Sequence, residues 1–148
     1  MMTAEDIKRL RDMTGAGVMD AKRALEEADG DIDKAVSIIG EKGLMKAEKK
    51  SDRATGAGIL VTYVHNDRIG VLFELRCETD FVARLDEFKK MGHDIAMHIA
   101  AMDPADQAEL LAQPFVKDQS TTVENLIKSV VAKTGENIQL GRFCRYAL

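Results

Sequence analysis

The spacing of the hydrophobic residues changes near residue 58, and this change constrains the fold more than any other feature. Before that point, apolar side chains recur every three or four residues, which is typical of a helix that buries one face. After it, Ile59, Val61 and Tyr63 alternate with other residues, as expected for a half-buried strand. The sequence therefore predicts a helical unit followed by a unit that contains a sheet.

Residues 1–40 are expected to form three short helices in a small N-terminal domain. Thr3 and Asp6 have the spacing of a capping box at the start of the first helix, and Asp31 is placed to cap the third. Glycines at 15 and 17 separate the first two helices, and Gly40 is expected to end the third. Helices this short can bury one another only as a compact bundle.

Residues 41–57 carry five basic and three acidic side chains and lose the apolar periodicity. This composition indicates a basic helical extension that frays into a linker, most simply with a solvated face. We therefore expect a domain boundary here, with residues 58–148 forming the second domain.

Residues 58–148 predict an α/β core, and the whole chain an α+β fold. Asn66-Asp67 is a hairpin turn signal, and the polar residues of the second strand suggest that one side of the sheet meets water. The elements expected after this turn are a strand over 69–77, a long helix over 80–102, a short helix over 105–112, a helix capped by Thr121, and a strand over 138–147 with a bulge at Gly141. The strands predict a three-stranded antiparallel sheet packed by helices.

Composition excludes several classes of function. A net charge of −4, with 5% aromatic residues and no tryptophan, disfavours a dedicated nucleic-acid binder. No window approaches 18 uncharged apolar residues, so no membrane span is expected. The charged N-terminus does not resemble a secretory or transit signal, and only two cysteines are present. These features favour a cytoplasmic location.

A search for catalytic groups finds few candidates. The chain lacks a phosphate-binding loop, a metal-ligand spacing and a nucleophile elbow, so neither a cofactor nor a metal is expected. Cys77 is predicted to lie in the core. Cys144 lies between Arg142 and Arg145, whose positive charges would favour a thiolate, so a reactive cysteine is one alternative. An unreactive cysteine that faces inward from a strand is the favoured interpretation.

Residues 78–84 pass from a strand into a helix, and Thr79 or Asp80 can cap that helix. Two placements of Phe81 are open. Phe81 can be the first residue of the buried stripe, since 81, 85 and 88 are helically spaced, and spacing alone favours this. Alternatively, Val82 takes that place and Phe81 projects beside a carboxylate, where it would anchor a partner.

A second apolar pair opens the helix that follows Gly17. Val18 fits the buried face of the predicted bundle. Met19 lies about 100° around the helix from Val18, which leaves an exposed position open for it. Packing in the small core is the favoured interpretation of this pair.

Several motifs together resemble bacterial elongation factor Ts. They are residues 11–22 (RDMTGAGVMDAK), Ala24-Leu25, Gly30-Asp31, Lys34-Ala35, residues 77–83 (CETDFVA) and residues 135–138 (GENI). The resemblance covers nearly the whole chain in order. It implies a ubiquitin-associated-like three-helix domain followed by a core domain of the dimerisation type.

The resemblance also implies a function without catalysis by this chain: guanine-nucleotide exchange on elongation factor Tu during translation. In that family, the segment matching Thr79, Asp80, Phe81 and Val82 enters the GTPase domain of the GDP-bound partner and helps to dislodge magnesium, so that GDP leaves and GTP can bind. The residue matching Phe81 wedges between partner helices, which favours the projecting placement, and Asp80 is expected to fix the start of its helix. The residues matching Val18 and Met19 contact another partner helix.

Only ten residues separate Met102 from Gln113, where many family members carry a longer insertion. Compact members are homodimers, so the resemblance implies a homodimer, with Cys144 as a possible intersubunit thiol. Two alternatives remain beside the exchange factor. One is a plain interaction module, and the other is a thiol enzyme using Cys144, which has no base near it in sequence.

Overall fold

The computed structural model describes residues 2–148 and folds them into seven helices and five strands. In order they are α1 (Ala4–Thr14), α2 (Val18–Glu27), α3 (Ile32–Glu48), β1 (Ala57–His65), β2 (Ile69–Cys77), α4 (Asp80–Ala83), α5 (Asp86–Met102), α6 (Gln107–Ala112), β3 (Pro114–Phe115), β4 (Asp118–Thr122), α7 (Val123–Thr134) and β5 (Ile138–Ala147). None of the seven helices is both long and apolar enough to cross a membrane. The α+β class is as predicted.

The N-terminal helices begin where the capping residues predict. Thr3 and Asp6 exchange the two bonds of a capping box, and Asp31 accepts a hydrogen bond from the Lys34 backbone nitrogen. The small core of this bundle is built mainly from alanines, together with Leu10 and Leu25. Small side chains let three short helices approach closely enough to exclude water.

The prediction that Gly40 ends the third helix is wrong, because α3 continues to Glu48. The residues after Gly40 are mostly good helix formers, so the two internal glycines, Gly40 and Gly43, do not stop the helix. The extension also packs on α7: a Cβ added at Gly43 would lie 3.2 Å from the Ala132 Cβ. Ala47 is buried in the hydrophobic core that the main sheet forms with α5 and α7, so α3 connects the N-terminal bundle to this core. The division into domains at 1–40, 41–57 and 58–148 stays a prediction.

The core is a three-stranded antiparallel sheet in the order β1-β2-β5, covered on one face by α5 and α7. Asn66 and Asp67 adopt positive φ angles of 52° and 58° in the predicted hairpin turn. The expected bulge in β5 is also present: Leu75 faces Leu140 but Phe73 faces Phe143, so β5 carries one extra residue around Gly141.

Three details of the core differ from the sequence predictions. The predicted helix over 80–102 is two helices, because Leu85 is extended between α4 and α5, with ψ of 136°. The cap of α7 is Thr122 rather than Thr121, which belongs to β4. The hairpin of β3 and β4 was not predicted, since its residues are largely polar and begin at a proline.

Candidate functional site

The break between α4 and α5 decides which side chain of the Phe81-Val82 pair is buried. A continuous helix would place residues 81, 85 and 88 on one face. Because the chain changes direction at Leu85, α4 turns independently, and Val82 packs into the core at 5% exposure. Phe81 is 86% exposed. The interpretation of Phe81 as part of the buried stripe is therefore wrong, and the projecting placement is the observed one.

Thr79 caps α4, with its side-chain oxygen accepting a hydrogen bond from the Val82 backbone nitrogen at 3.5 Å. The sequence left Thr79 and Asp80 as alternatives and favoured Asp80 as the residue that fixes the helix start. That preference is wrong, because Thr79 has the extended backbone of a cap while Asp80 is the first residue inside the helix. Asp80 is exposed and precedes Phe81 directly in the first turn of α4.

A distant carboxylate holds Thr79 in place. Glu136, which follows α7, accepts hydrogen bonds from the Thr79 backbone nitrogen at 3.0 Å and from the Thr79 hydroxyl at 2.6 Å. The Cys77 thiol donates to the Thr79 carbonyl oxygen, with the sulfur at 3.1 Å. Burial raises the pKa of the Cys77 thiol, and the charge of Glu136 acts in the same direction, so the thiol keeps its proton. The N–H, O–H and C=O groups of Thr79 are all engaged.

Neighbouring bonds make this region a compact network. Glu78 accepts a hydrogen bond from the Asn137 backbone nitrogen at 2.7 Å and pairs with Arg53 at 3.6 Å. The buried Asn137 side chain donates to the Arg53 carbonyl oxygen at 2.7 Å. We name Glu78–Val82 the β2–α4 junction. It is tied to the linker before β1 and to the chain between α7 and β5.

The second apolar pair lies in a segment that we name the α1–α2 junction (Gly15–Met19). Val18 and Met19 are 48% and 56% exposed. The favoured packing of this pair in the small core is therefore wrong, for Val18 on the predicted buried face as well as for Met19, whose exposed alternative is the observed one. Because α2 starts at Val18, the small bundle covers only its later turns, where Ala21 and Leu25 are buried.

Residues at and just after the end of α7 contact both junctions. The Lys133 side chain lies 3.8 Å from the position that a Cβ would take at Gly15, and its Nζ lies 2.9 Å from Glu87 in the first turn of α5. Three residues later, Glu136 holds Thr79. In the sequence, Glu136 stands out only as part of the motif at residues 135–138. Its position immediately after Gly135, which ends α7, is the sequence feature that could have indicated a fixed side chain.

A cleft of about 550 Å³ lies beside the α1–α2 junction, between α2, α3 and α7. Its basic side chains are Arg23, Lys42, Lys46 and Lys133. Three of them are paired with acids: Lys42 with Glu27, Lys46 with Asp20 and Lys133 with Glu87. The cleft therefore combines an apolar edge with a basic wall whose charge is mostly neutralised by neighbouring acids.

Cys144 lies away from both junctions. It is exposed on β5 opposite Leu72, so the favoured inward orientation is wrong, whereas Cys77 is buried as predicted. The outer face of the sheet is less polar than expected, since it exposes Leu60, Val64, Leu72 and Tyr146. Arg142 on this face binds Glu74 at 2.6 Å, and its hydrogen bonds lower the pKa of Glu74 to about 2. Among residues 2–148, no three histidine, cysteine or carboxylate side chains are grouped so that they could hold a metal ion.

Comparison with known proteins gives a consistent set of similarities. A family model described as "Elongation factor TS" matches residues 3–104 and residues 78–148. Elongation factor Ts of Aquifex aeolicus is 50% identical over 151 residues, which cover 98% of this chain and 52% of the relative. The Fervidobacterium nodosum protein of the same name is 43% identical, with 97% of this chain and 96% of the relative covered.

A further relative, elongation factor Ts of Thermotoga neapolitana, is 45% identical over 184 aligned positions, with 95% of this chain and 93% of the relative covered. This chain has 148 residues, so at least 184 − 148 = 36 of those positions have no counterpart in it. The chain is thus shorter than this relative while matching it nearly from end to end.

Proposed function

Because this chain belongs to the elongation factor Ts family, we propose that it is a guanine-nucleotide exchange factor for elongation factor Tu. In this proposal it binds the GDP form of its partner, displaces the bound magnesium and promotes release of GDP, so that GTP can bind. The single observation that carries the proposal is Phe81, an aromatic ring 86% exposed at the tip of a turn pinned to the core.

The proposal requires only binding energy from this chain and no reaction catalysed by it. Burying a phenylalanine ring contributes roughly 2–3 kcal/mol, more than an exposed ion pair provides. If this chain weakens the partner's hold on GDP by some factor, GDP weakens the partner's hold on this chain by the same factor. Insertion of Phe81 therefore favours a partner conformation in which the magnesium and phosphate contacts are broken. Val18 and Met19, which are about half exposed, supply a second apolar contact.

Thr79 and Val82 belong to the proposed interface through the turn that they build. Val82 anchors α4 in the core, and Thr79 caps it. Asp80 adds a negative charge at the first position of the same exposed turn. We propose the cytoplasm as the location of this function, without direct contact to nucleic acid or membrane.

We also propose that the protein is a homodimer built on the outer face of the sheet. This face exposes Leu60, Val64, Leu72 and Tyr146, a set that a second copy could cover. Cys144 lies among them, so a two-fold axis near β5 could bring two thiols together as an intersubunit disulfide. Leu72→Lys should give a monomer in sedimentation analysis. Migration on a non-reducing gel that does not change with reductant would reject the disulfide alone.

The deciding experiment mixes the protein with elongation factor Tu that carries fluorescent GDP. Wild-type protein should accelerate GDP release, and Phe81→Ala should lower the stimulated rate at least tenfold, because the exposed ring supplies the wedge. Met45→Ala is the matched control, since this side chain is also large, apolar and exposed but lies on α3. Binding without acceleration by wild-type protein would favour the interaction module over the exchange factor.

A further inference from the structure

The turn that carries Phe81 is too short to hold its own shape. Helix α4 has four residues, a length at which a helix is not stable by itself. Its orientation must therefore come from groups outside it. Burial of Val82 and Ala83 fixes one side of the turn, and the hydrogen bonds at Thr79 fix its start.

The chemistry of a carboxylate makes Glu136 decisive for the direction of those bonds. An ionised carboxylate can only accept hydrogen bonds, so the Thr79 hydroxyl must donate its proton to Glu136. The lone pairs of that hydroxyl are then free to accept from the Val82 backbone nitrogen. Glu136 thus sets the rotation of the hydroxyl that caps α4, besides binding the Thr79 backbone directly.

Glu136 itself stands on rigid backbone. Gly135 ends α7 with a φ of 77°. The Glu136 backbone nitrogen donates a hydrogen bond to the Thr134 hydroxyl at 3.3 Å, which restricts the backbone at this position. The next residue, Asn137, is buried and donates its backbone N–H to Glu78. A side chain that starts from such a platform can transmit the position of α7 to a turn 57 residues earlier in the chain.

We propose that Glu136 is a positioning residue for nucleotide exchange, which presents Phe81 to the partner in its binding orientation. This inference rests on the proposed exchange function. Glu136 acts through Thr79 and α4, so that little ordering of the turn remains to be done when Phe81 inserts. Ordering a loop during binding weakens affinity, and a preorganised loop avoids that cost.

The test uses the full chain and measures stimulated GDP release from elongation factor Tu against the concentration of this protein. Glu136→Ala should raise the half-saturating concentration about tenfold while the rate at saturation stays within about twofold, because the ring is intact but must be ordered during binding. Glu136→Gln keeps one acceptor oxygen and should recover most of the loss, to within about threefold of wild type. Glu26→Ala is the control, since its side chain is exposed on α2 and makes no hydrogen bond or ion pair within residues 2–148.

A second measurement separates positioning from general stability. In a Phe81→Ala background, Glu136→Ala should change the half-saturating concentration by less than twofold, because the group that it positions is gone. Hydrogen exchange at the Val82 amide should be about tenfold faster in Glu136→Ala, while amides of α5 keep their wild-type protection.

Three outcomes would overturn the inference. Release curves for Glu136→Ala and Glu136→Gln that coincide with wild type would remove the role of Glu136 and leave the exchange function standing. An effect of full size in the Phe81→Ala background would show that Glu136 acts on stability and not through Phe81. A wild-type protein that does not accelerate release would remove the exchange function, and the inference with it.

Discussion

The two junctions begin a helix in the same way but are held by different means. Each presents a large apolar side chain in the first turn, Phe81 in one and Met19 in the other. The β2–α4 junction is fixed by side chains from distant segments, chiefly Glu136. The α1–α2 junction is fixed by nearby residues: Gly17 offers no side-chain cap, and the turn relies on the positive φ of Gly15.

This difference suggests a division of tasks between them. An aromatic ring on a turn with few internal freedoms suits an anchor that must enter a partner in one orientation. A methionine is flexible and adapts to the surface that it meets, which suits a contact that adds area. We therefore expect the β2–α4 junction to determine exchange and the α1–α2 junction to adjust affinity.

The largest expected effect concerns the rigidity of the β2–α4 junction, which the buried Cys77 reports. Under a phosphine reductant at pH 8, iodoacetamide should modify Cys144 at least about a hundredfold faster than Cys77, as measured by mass spectrometry of peptides. Cys144 is exposed, whereas Cys77 is covered and its raised pKa disfavours the reactive thiolate. Comparable rates would mean that the β2–α4 junction opens readily. The contrast between a rigid β2–α4 junction and an adaptable α1–α2 junction would then be wrong.

The next effect separates the two neighbours in the β2–α4 junction. Val82→Ala should lower the free energy of unfolding by about 2 kcal/mol, because it leaves a cavity in the core. Phe81→Ala should leave that free energy within about 0.5 kcal/mol of wild type, because the ring is exposed. Urea unfolding followed by circular dichroism measures both. Strong destabilisation by Phe81→Ala would indicate that the ring packs against this protein.

A smaller effect tests how the α1–α2 junction is held. Gly15→Ala should destabilise by about 1 kcal/mol, because Gly15 has a φ of 72° that a Cβ disfavours. Gly17→Ala is the matched control: its φ is −68°, and a Cβ there would meet no atom within 4 Å, so little change is expected. Thermal unfolding of the two variants gives the comparison. Equal stabilities would show that the positive φ at Gly15 does not hold this turn.

The smallest effect concerns the link between the junctions. Lys133→Met keeps most of the aliphatic stem beside Gly15 but removes the exposed ion pair with Glu87. Exposed pairs contribute about 0–1 kcal/mol, so the stimulated release rate should change by less than twofold. Glu87→Gln removes the same pair from the other side and should behave alike. A tenfold loss in both variants would mean that the two junctions work as one unit.

Features that depend on adjacent residues were predictable from the sequence. The caps at Thr3 and Asp31, the hairpin turn at 66–67, the end of α7 at Gly135 and the bulge near Gly141 all appear where the local chemistry places them. Each depends on backbone conformations or hydrogen bonds within a few residues. The resemblance to the family also rested on such local motifs.

The same local spacing misplaced several side chains of the candidate site. Val18 fits a helical stripe, but the bundle covers only the later turns of α2. Cys144 alternates correctly on β5, yet alternation does not say which face of the sheet the helices cover. The burial of Phe81 depends on whether the helix continues through Leu85, and no proline or glycine near that residue marks the break in the sequence.

The three N-terminal helices, the three strands of the main sheet, the two apolar periods and the family motifs could be predicted from the sequence alone, because they follow from short-range conformational preferences. Tertiary structure decided that Phe81 projects while Val82 is buried, and that Glu136 reaches Thr79. These outcomes depend on how α7 packs against the end of β2. Contacts between segments 57 residues apart have no local pattern from which they could be read.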